Sequence, residues 1–286
     1  KTLAALEKLG TAVRGSSPGD ARARPVGIHL EGPFISPLKS GVHPAADIAE
    51  PSVKLFQRYW QAAQGSITVM TIAPELKGAN KVIELATRNG VRVSVGHSNA
   101  NADEVYLARD AGARHATHTF NAMRRMDHRD PGIVAAILSD PAFTADIIAD
   151  GVHVAPEYIR LFLAAKGEER AILISDAISA TGMPDGKYTL GTFEVDVKGL
   201  ECRSNGRLAG SVLTMDAAIR NVMKIATWEL RSCVRLASLN PARLLGIDEH
   251  KGALAVGKDA DIVVLTPNGQ VVKTFIGGVA AGGAGA

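Results

Sequence analysis

Ile28-His29-Leu30-Glu31-Gly32-Pro33 is the stretch on which the fold turns. Residues 26–30 read as a short strand, and Gly32-Pro33 forces a turn directly after the Glu31 carboxylate. Alone, an acid in that position is a surface turn residue or the cap of the next helix. Four later apolar runs repeat the arrangement, each ending in or just before a residue that can bind metal or move a proton. They are 91–95 before His97, 116–117 before His118, 145–149 before Asp150 and His153, and 171–175 before Asp176. Strands whose far ends converge on Glu, His, His, His and Asp imply a metal-dependent hydrolase on a barrel of parallel strands.

Working outward, helical patterns over 53–64, 80–88, 102–111, 132–139 and 157–165 alternate with six strands, and Ser98 or Asn99 is placed to cap the third. His118 follows His97 by 21 residues, His153 follows by 35 and Asp176 by 23, which suits successive units of a (β/α)8 barrel. A doubly wound open sheet is the rival, but it gathers its ligand at one switch point, whereas here nearly every strand ends in a polar group. Six strands do not close an eight-stranded barrel, so the expectation is an α/β TIM-type barrel lacking its first strands. Past Asp176, Asp185-Gly186 and Asn205-Gly206 mark a β-hairpin insertion at about 185–210 near the barrel mouth. A long helix over 214–230, a shorter one over 238–245 and a strand at 261–265 follow. The domain reading is a barrel over 1–250, a remnant of a small β-domain over 251–275, and a disordered Gly/Ala tail over 276–286.

A chain of 286 residues that is 46% hydrophobic can bury one large core. The net charge of +3 and the absence of long basic runs exclude a nucleic-acid groove; Arg124-Arg125 with His128 and Arg129 suits one small anion. Cys202 and Cys233, far apart and outside any CxxC, read as free thiols of a reducing cytoplasm. No apolar run approaches the ~20 residues that span a bilayer. The membrane is therefore no expected partner.

Two imidazoles and a carboxylate can hold Zn²⁺ and leave a position for water, and Glu31, His97 and His118 supply that set from three strands. Asp176 would then move the proton from water to the leaving amine, with His43 or His153 donating to the carbonyl oxygen. Each residue also has a plain structural role open to it: a loop hydrogen bond for His97, a helix cap for Asp176, a backbone contact for His153. Their joint occurrence at strand ends favours the site. His29, His115, His128 and His250 receive no function.

The motifs resemble a known family. His29-Leu30-Glu31-Gly32-Pro33-Phe34, Gly41-Val42-His43-Pro44, Gly96-His97-Ser98-Asn99-Ala100, Thr117-His118-Thr119-Phe120-Asn121-Ala122-Met123, Arg129-Asp130-Pro131-Gly132, Asp150-Gly151-Val152-His153 and Ser175-Asp176-Ala177 are similar to the N-acetylglucosamine-6-phosphate deacetylases of the amidohydrolase superfamily. The resemblance implies a divalent metal (Zn²⁺, or else Fe²⁺, Mn²⁺ or Co²⁺) on Glu31, His97 and His118, and Asp176 as acid and base. It implies Val42 and His43 at the acetamido and sugar end, Asn121, Ala122 and His153 on the sugar phosphate, and Leu208, Ala209 and Gly210 around the acetyl methyl. Arg129 would reach the phosphate of a neighbouring subunit in a homodimer. Many members open with a β-segment and a strand bearing a His-x-His pair; this chain shows neither, so an N-terminally truncated chain is expected, with one or two metals left open. Superfamily relatives that open cyclic amides or deaminate bases commonly use a strand lysine, as do Schiff-base aldolases, and no lysine ends a strand here. A weakly catalytic fragment acting only as a binding partner is the remaining alternative.

Overall fold

The computed structural model describes residues 2–16 and 22–281. Six parallel strands stand side by side in chain order: β1 (Ile28–Glu31), β2 (Ile67–Ile72), β3 (Arg92–Val95), β4 (His115–Ala116), β5 (Ala145–Ile147) and β6 (Ala171–Leu173). The first four pair in order as one sheet, and β5 pairs with β6. The Ala116 and Thr119 N–H groups donate to Thr144 O (3.1 Å) and Asp146 O (2.9 Å), stitching the two pieces into one curved wall. Helix α1 (Thr2–Gly15) precedes β1, and α2 (Val53–Ala62), α3 (Ala79–Arg88), α4 (Ala102–Ala111), α5 (Gly132–Ser139) and α6 (Pro156–Arg170) lie between the strands in sequence; all share one core with them, in which Phe56, Ile72, Ile83, Ile137 and Phe162 are fully buried. The alternation and the parallel pairing are those of a TIM-type barrel.

Strand periodicity sorts the side chains. On β1, Ile28 and Leu30 are buried in the core while His29 and Glu31 take the alternate face. His29 Nε2 meets Thr71 Oγ1 at 2.7 Å, Thr71 meets Thr117 at 2.8 Å, and Ser94 meets Thr117 at 2.5 Å. These contacts give the inner side of the wall an unusually polar layer, where such barrels more often carry branched apolar residues.

Several boundaries depart from expectation for local reasons. β4 and β6 stop short of 117 and 175, the ends of the apolar runs, ahead of the left-handed backbone at His118 (φ +32°) and Asp176 (φ +49°). α4 is capped by Asn101, not by Ser98 or Asn99: Asn101 Oδ1 accepts from Glu104 N–H (3.0 Å) and Glu104 Oε2 accepts from Asn101 N–H (2.8 Å).

The insertion is larger than a hairpin. β7 (Gly186–Leu190), β8 (Phe193–Lys198), β9 (Glu201–Ser204) and β10 (Arg207–Leu208) form a four-stranded antiparallel sheet in the order β10-β9-β8-β7. Its apolar side and the loops before and after it form a second small core that includes Ile178, Val195, Val197, Cys202 and Ala209, against which Val42 packs.

The expected long helix is two, α7 (Met215–Ala226) and α8 (Leu230–Ala237), parted where Thr227 turns left-handed at φ +57°. After α9 (Leu239–Leu245), strands β11 (Ile262–Leu265), β12 (Val271–Ile276) and β13 (Val279–Ala280) make a three-stranded antiparallel sheet. Gly277-Gly278 is the turn from β12 to β13, so that part of the Gly/Ala stretch is structured and not a loose tail. The remainder, 282–286, lies outside the described residues. Among the described residues no helix is long and apolar enough to cross a membrane.

Candidate functional site

The ends of β1, β3, β4 and β6 place Glu31, His97, His118 and Asp176 around one cavity of about 580 Å³. Glu31 Oε1 lies 2.8 Å from His118 Nε2 and 3.3 Å from His97 Nε2, and the two imidazole nitrogens are 3.2 Å apart. Ligands about 2.0–2.1 Å from a tetrahedral zinc lie roughly 3.4 Å from one another, so the three donors fit a single divalent cation. His97 Nδ1 donates to Lys39 O at 2.8 Å, which leaves the Nε2 lone pair facing the other donors.

His43 approaches the opposite oxygen of Glu31, with Nε2 3.5 Å from Oε2, and sets its ring edge-on to His97. By separation alone Glu31, His43 and His97 also make a possible metal set, all within 4.8 Å. The triangle with His118 is tighter, and both of its imidazole nitrogens face one carboxylate oxygen.

The electrostatics follow from burial and this crowding. Burial opposes ionisation of Glu31, but hydrogen bonds from His118, His43 and His97 overcome it and hold its carboxyl well below the usual range. Burial likewise disfavours a charged His118, yet its hydrogen bond to the Glu31 carboxylate, with Asp176 and Asp146 beyond, pushes it up to about 9. Burial raises the Asp176 carboxyl to about 6; the negative Glu31 adds to this and the positive charge of His118 opposes it.

Left-handed backbone recurs at this site: His97 (φ +46°), His118 (φ +32°), Phe120 (φ +81°), Ala122 (φ +49°) and Asp176 (φ +49°). Such conformations cost on the order of 1–3 kcal/mol each and persist where the surroundings impose them. Each of the three chemical residues has a polar partner doing so. Glu75 accepts from Ser98 Oγ–H (2.7 Å) and Asn99 N–H (2.6 Å) after His97. Asp146 accepts the His118 N–H. Ser211 donates its N–H to Asp176 O (2.7 Å) and its hydroxyl to Ser175 O.

Of the other residues singled out in the sequence, Val42, His43, Asn121, Ala122, His153, Leu208 and Gly210 line the cavity. Asp150 holds His153, accepting from its N–H (2.8 Å) and meeting Nδ1 at 2.6 Å, so Nε2 is the free ring nitrogen. Ala209 is fully buried in the second core, outside the lining, and Arg129 is exposed and outside it too. Thr189 and Leu190 at the end of β7, Gly191 in the turn and Phe193 at the start of β8 close one side of the cavity and were not anticipated. Nor were Glu75 and Asp146. An acid following Ala73-Pro74, and one inside a short apolar strand, were the signals available.

The profile of the amidohydrolase family matches residues 20–281. The chain belongs to the amidohydrolase family. Among its amidohydrolase relatives, the N-acetylglucosamine-6-phosphate deacetylase of Bacillus subtilis is 37% identical over 88% of this chain, and the chain spans 64% of that protein's length. The N-acetylgalactosamine-6-phosphate deacetylase of Escherichia coli O157:H7 is 38% identical over 96% of this chain and 72% of its own length. A Mycobacterium smegmatis N-acetyl-D-glucosamine-6-phosphate deacetylase, solved as a variant with N-acetyl-D-glucosamine-6-phosphate, superposes with a TM-score of 0.92 at 38% identity, covering 98% of this chain and 73% of the other.

Proposed function

We propose that the chain is a metal-dependent hydrolase that cleaves the acetamido C–N bond of N-acetyl-D-glucosamine 6-phosphate, giving acetate and D-glucosamine 6-phosphate in amino-sugar catabolism. The observation that carries this reading is the convergence of Glu31, His97 and His118 donors within 3.3 Å of one another beside the cavity that Asp176 lines. A divalent cation held by these three supplies the charge that polarises an amide carbonyl and makes water acidic. Zn²⁺ suits one carboxylate and two imidazoles; Fe²⁺, Mn²⁺ and Co²⁺ are the alternatives that metal analysis would separate.

Asp176, a half-buried carboxylate at the cavity, takes the proton of the attacking water and returns it to the departing amine. His43, close to Glu31, donates toward the carbonyl oxygen as its charge grows. Val42, Leu208 and Gly210 bound the acyl end, with Ala209 packing behind them. Asn121, Ala122 and His153 face the sugar phosphate. Arg129, exposed and outside this cavity, would reach a neighbouring subunit's phosphate in a homodimer. A cytoplasmic location agrees with the buried free thiols Cys202 and Cys233.

The E. coli relative makes the galacto epimer a second substrate to test, since it is as similar to this chain as the B. subtilis one. Acetate release from both epimers and from unphosphorylated N-acetylglucosamine, together with metal analysis, tests the proposal. Asp176→Asn should keep the metal and lose roughly 10²–10⁴ of the turnover, whereas His118→Ala should lose both. Unchanged acetate release by Asp176→Asn would remove that residue from the mechanism.

A further inference from the structure

We propose that Asp146, a carboxylate inside the barrel wall that does not line the cavity, is a positioning residue that aims the His118 ligand from behind. The inference rests on the reading of Glu31, His97 and His118 as the ligand set. Asp146 sits in the middle of β5, is 3% exposed, and is flanked by the fully buried Ala145 and Ile147. A carboxylate there adds nothing to an apolar core, and burying one is unfavourable unless its oxygens are satisfied. They are. Oδ1 accepts the His118 N–H, Oδ2 lies 3.0 Å from His115 Nε2, and the backbone oxygen accepts the Thr119 N–H at 2.9 Å. His115, itself 2% exposed, is braced in turn by Thr144 Oγ1 at 2.9 Å from Nδ1.

Two features make this more than internal packing. First, His118 turns left-handed at φ +32°, which takes its N–H out of the strand ladder. With no acceptor, that donor would be buried and unsatisfied, and the peptide would rotate to find one. Oδ1 of Asp146 is the acceptor, so it fixes the peptide plane from which the His118 side chain departs. Second, the two imidazole ligands are anchored differently. His97 has its second ring nitrogen held by Lys39 O at 2.8 Å. His118 Nδ1 is buried and has no hydrogen-bond partner among the described residues. With nothing gripping the far side of its ring, His118 is aimed by its backbone, and its backbone is held by Asp146. Outer partners of metal ligands are commonly worth 10–100-fold in metal affinity.

The test uses the full chain, stripped by chelator and titrated with Zn²⁺ against a chromophoric chelator. Asp146→Ala should bind Zn²⁺ about 10–100-fold more weakly than the unchanged protein. Asp146→Asn keeps an oxygen for the same N–H and should recover most of that loss. The visible spectrum of the Co²⁺-loaded protein should change in the alanine variant and return in the asparagine variant. Amide hydrogen exchange supplies a readout independent of whether the alanine variant folds: the His118 N–H should be strongly protected in the unchanged protein and in Asp146→Asn. Zn²⁺ affinity of Asp146→Ala equal to that of the unchanged protein overturns the proposal. Equal weakness in the alanine and asparagine variants, or free exchange of the His118 amide in the unchanged protein, does so too. Failure of the unchanged protein to bind Zn²⁺, or full affinity in His118→Ala, overturns the ligand assignment and this inference with it.

Discussion

Gly210 offers a direct measure of how tightly the sheet over the cavity is locked to Asp176. Its φ is +62°, and a Cβ built there would lie 2.5 Å from Ile178 Cγ2 and 3.2 Å from Asp176 O. Carbon atoms pack best about 3.5–4.0 Å apart, so Ile178 must yield by roughly 1 Å. Ile178 and Asp176 are both tied to Ser211, through Ile178 N–H to Ser211 O (3.0 Å) and Ser211 N–H to Asp176 O (2.7 Å), so the movement passes to the carboxylate-bearing loop. Gly182 is the control: its φ is +82°, but nothing lies within 4 Å of the Cβ site. Gly182→Ala therefore carries the left-handed backbone penalty alone, about 1–2 kcal/mol less the ~0.4–1 kcal/mol gained from a stiffer unfolded chain. Gly210→Ala adds an overpacking penalty of about 1–3 kcal/mol. In guanidinium denaturation, Gly210→Ala should be the less stable of the two by about that increment, with unchanged slope. Its kcat for acetate release should fall by roughly 10–100-fold, in line with an ångström-scale misplacement near the chemistry. Gly182→Ala should keep its turnover. Equal stability and equal kcat in the two variants would refute the claim that this loop carries Asp176 on a rigid mount.

Two further outcomes follow from buried charges. Because Glu31 pushes His118 up to about 9, a cation must displace a proton from it; Zn²⁺ affinity measured by chelator competition should strengthen with pH until about 9, and a flat profile from 6.5 to 9 would contradict this. In chelator-treated protein the same raised value stabilises the fold fully below the ordinary 6.5, and that contribution is lost as pH rises through about 9. Lys166, 1% exposed, donates from Nζ to Asp140 O (3.0 Å) and Phe143 O (2.9 Å), and burial pulls it down to about 8. Lys166→Met strands both carbonyls at about 1–3 kcal/mol each, offset in part by relief of the buried charge, for a net loss of about 2 kcal/mol by denaturant titration. Since the unfolded chain holds that proton up to about 10.5 and the fold releases it near 8, the unchanged protein should gain stability relative to Lys166→Met between those values.

What the sequence shows is what local pattern can carry. The alternation Ile28-His29-Leu30-Glu31 and the Gly32-Pro33 break are local, and they place an acid at the end of a strand whose apolar residues face the core. The repetition of that pattern placed Glu31, His97, His118 and Asp176 around one centre. Other features depend on partners distant in the chain. Ser98 and Asn99 look like helix caps, yet both donate to Glu75, 23 and 24 residues earlier, Ser98 Oγ accepts from Ala100 N–H, and the cap is Asn101. Asn240 reads as the start of a short helix, yet its amide ties Glu168 O and Ala171 O (2.7 Å each) at the entry to β6. The turn between β7 and β8 was not among the turns read at 185–186 and 205–206, and its position over the cavity goes with the packing of this sheet and Val42, almost 150 residues upstream, on one small core.

The residues that escaped the sequence reading share a cause. At His97, His118 and Asp176 the backbone leaves the conformation its strand would continue; His and Asp enter the left-handed region more readily than most residues, but that preference does not say where a strand will reverse. Glu75, Asp146 and Ser211 hold it, from the end of β2, from within β5 and from the loop beyond β10. Side-chain type announces a ligand or a base, because imidazole and carboxylate chemistry is the same wherever it occurs. Nothing about an acid in the short strand Ala145–Ile147 announces that it braces a peptide 28 residues away. Local preference and final structure thus disagree where the site is built, which is where a protein accepts strain in return for aim.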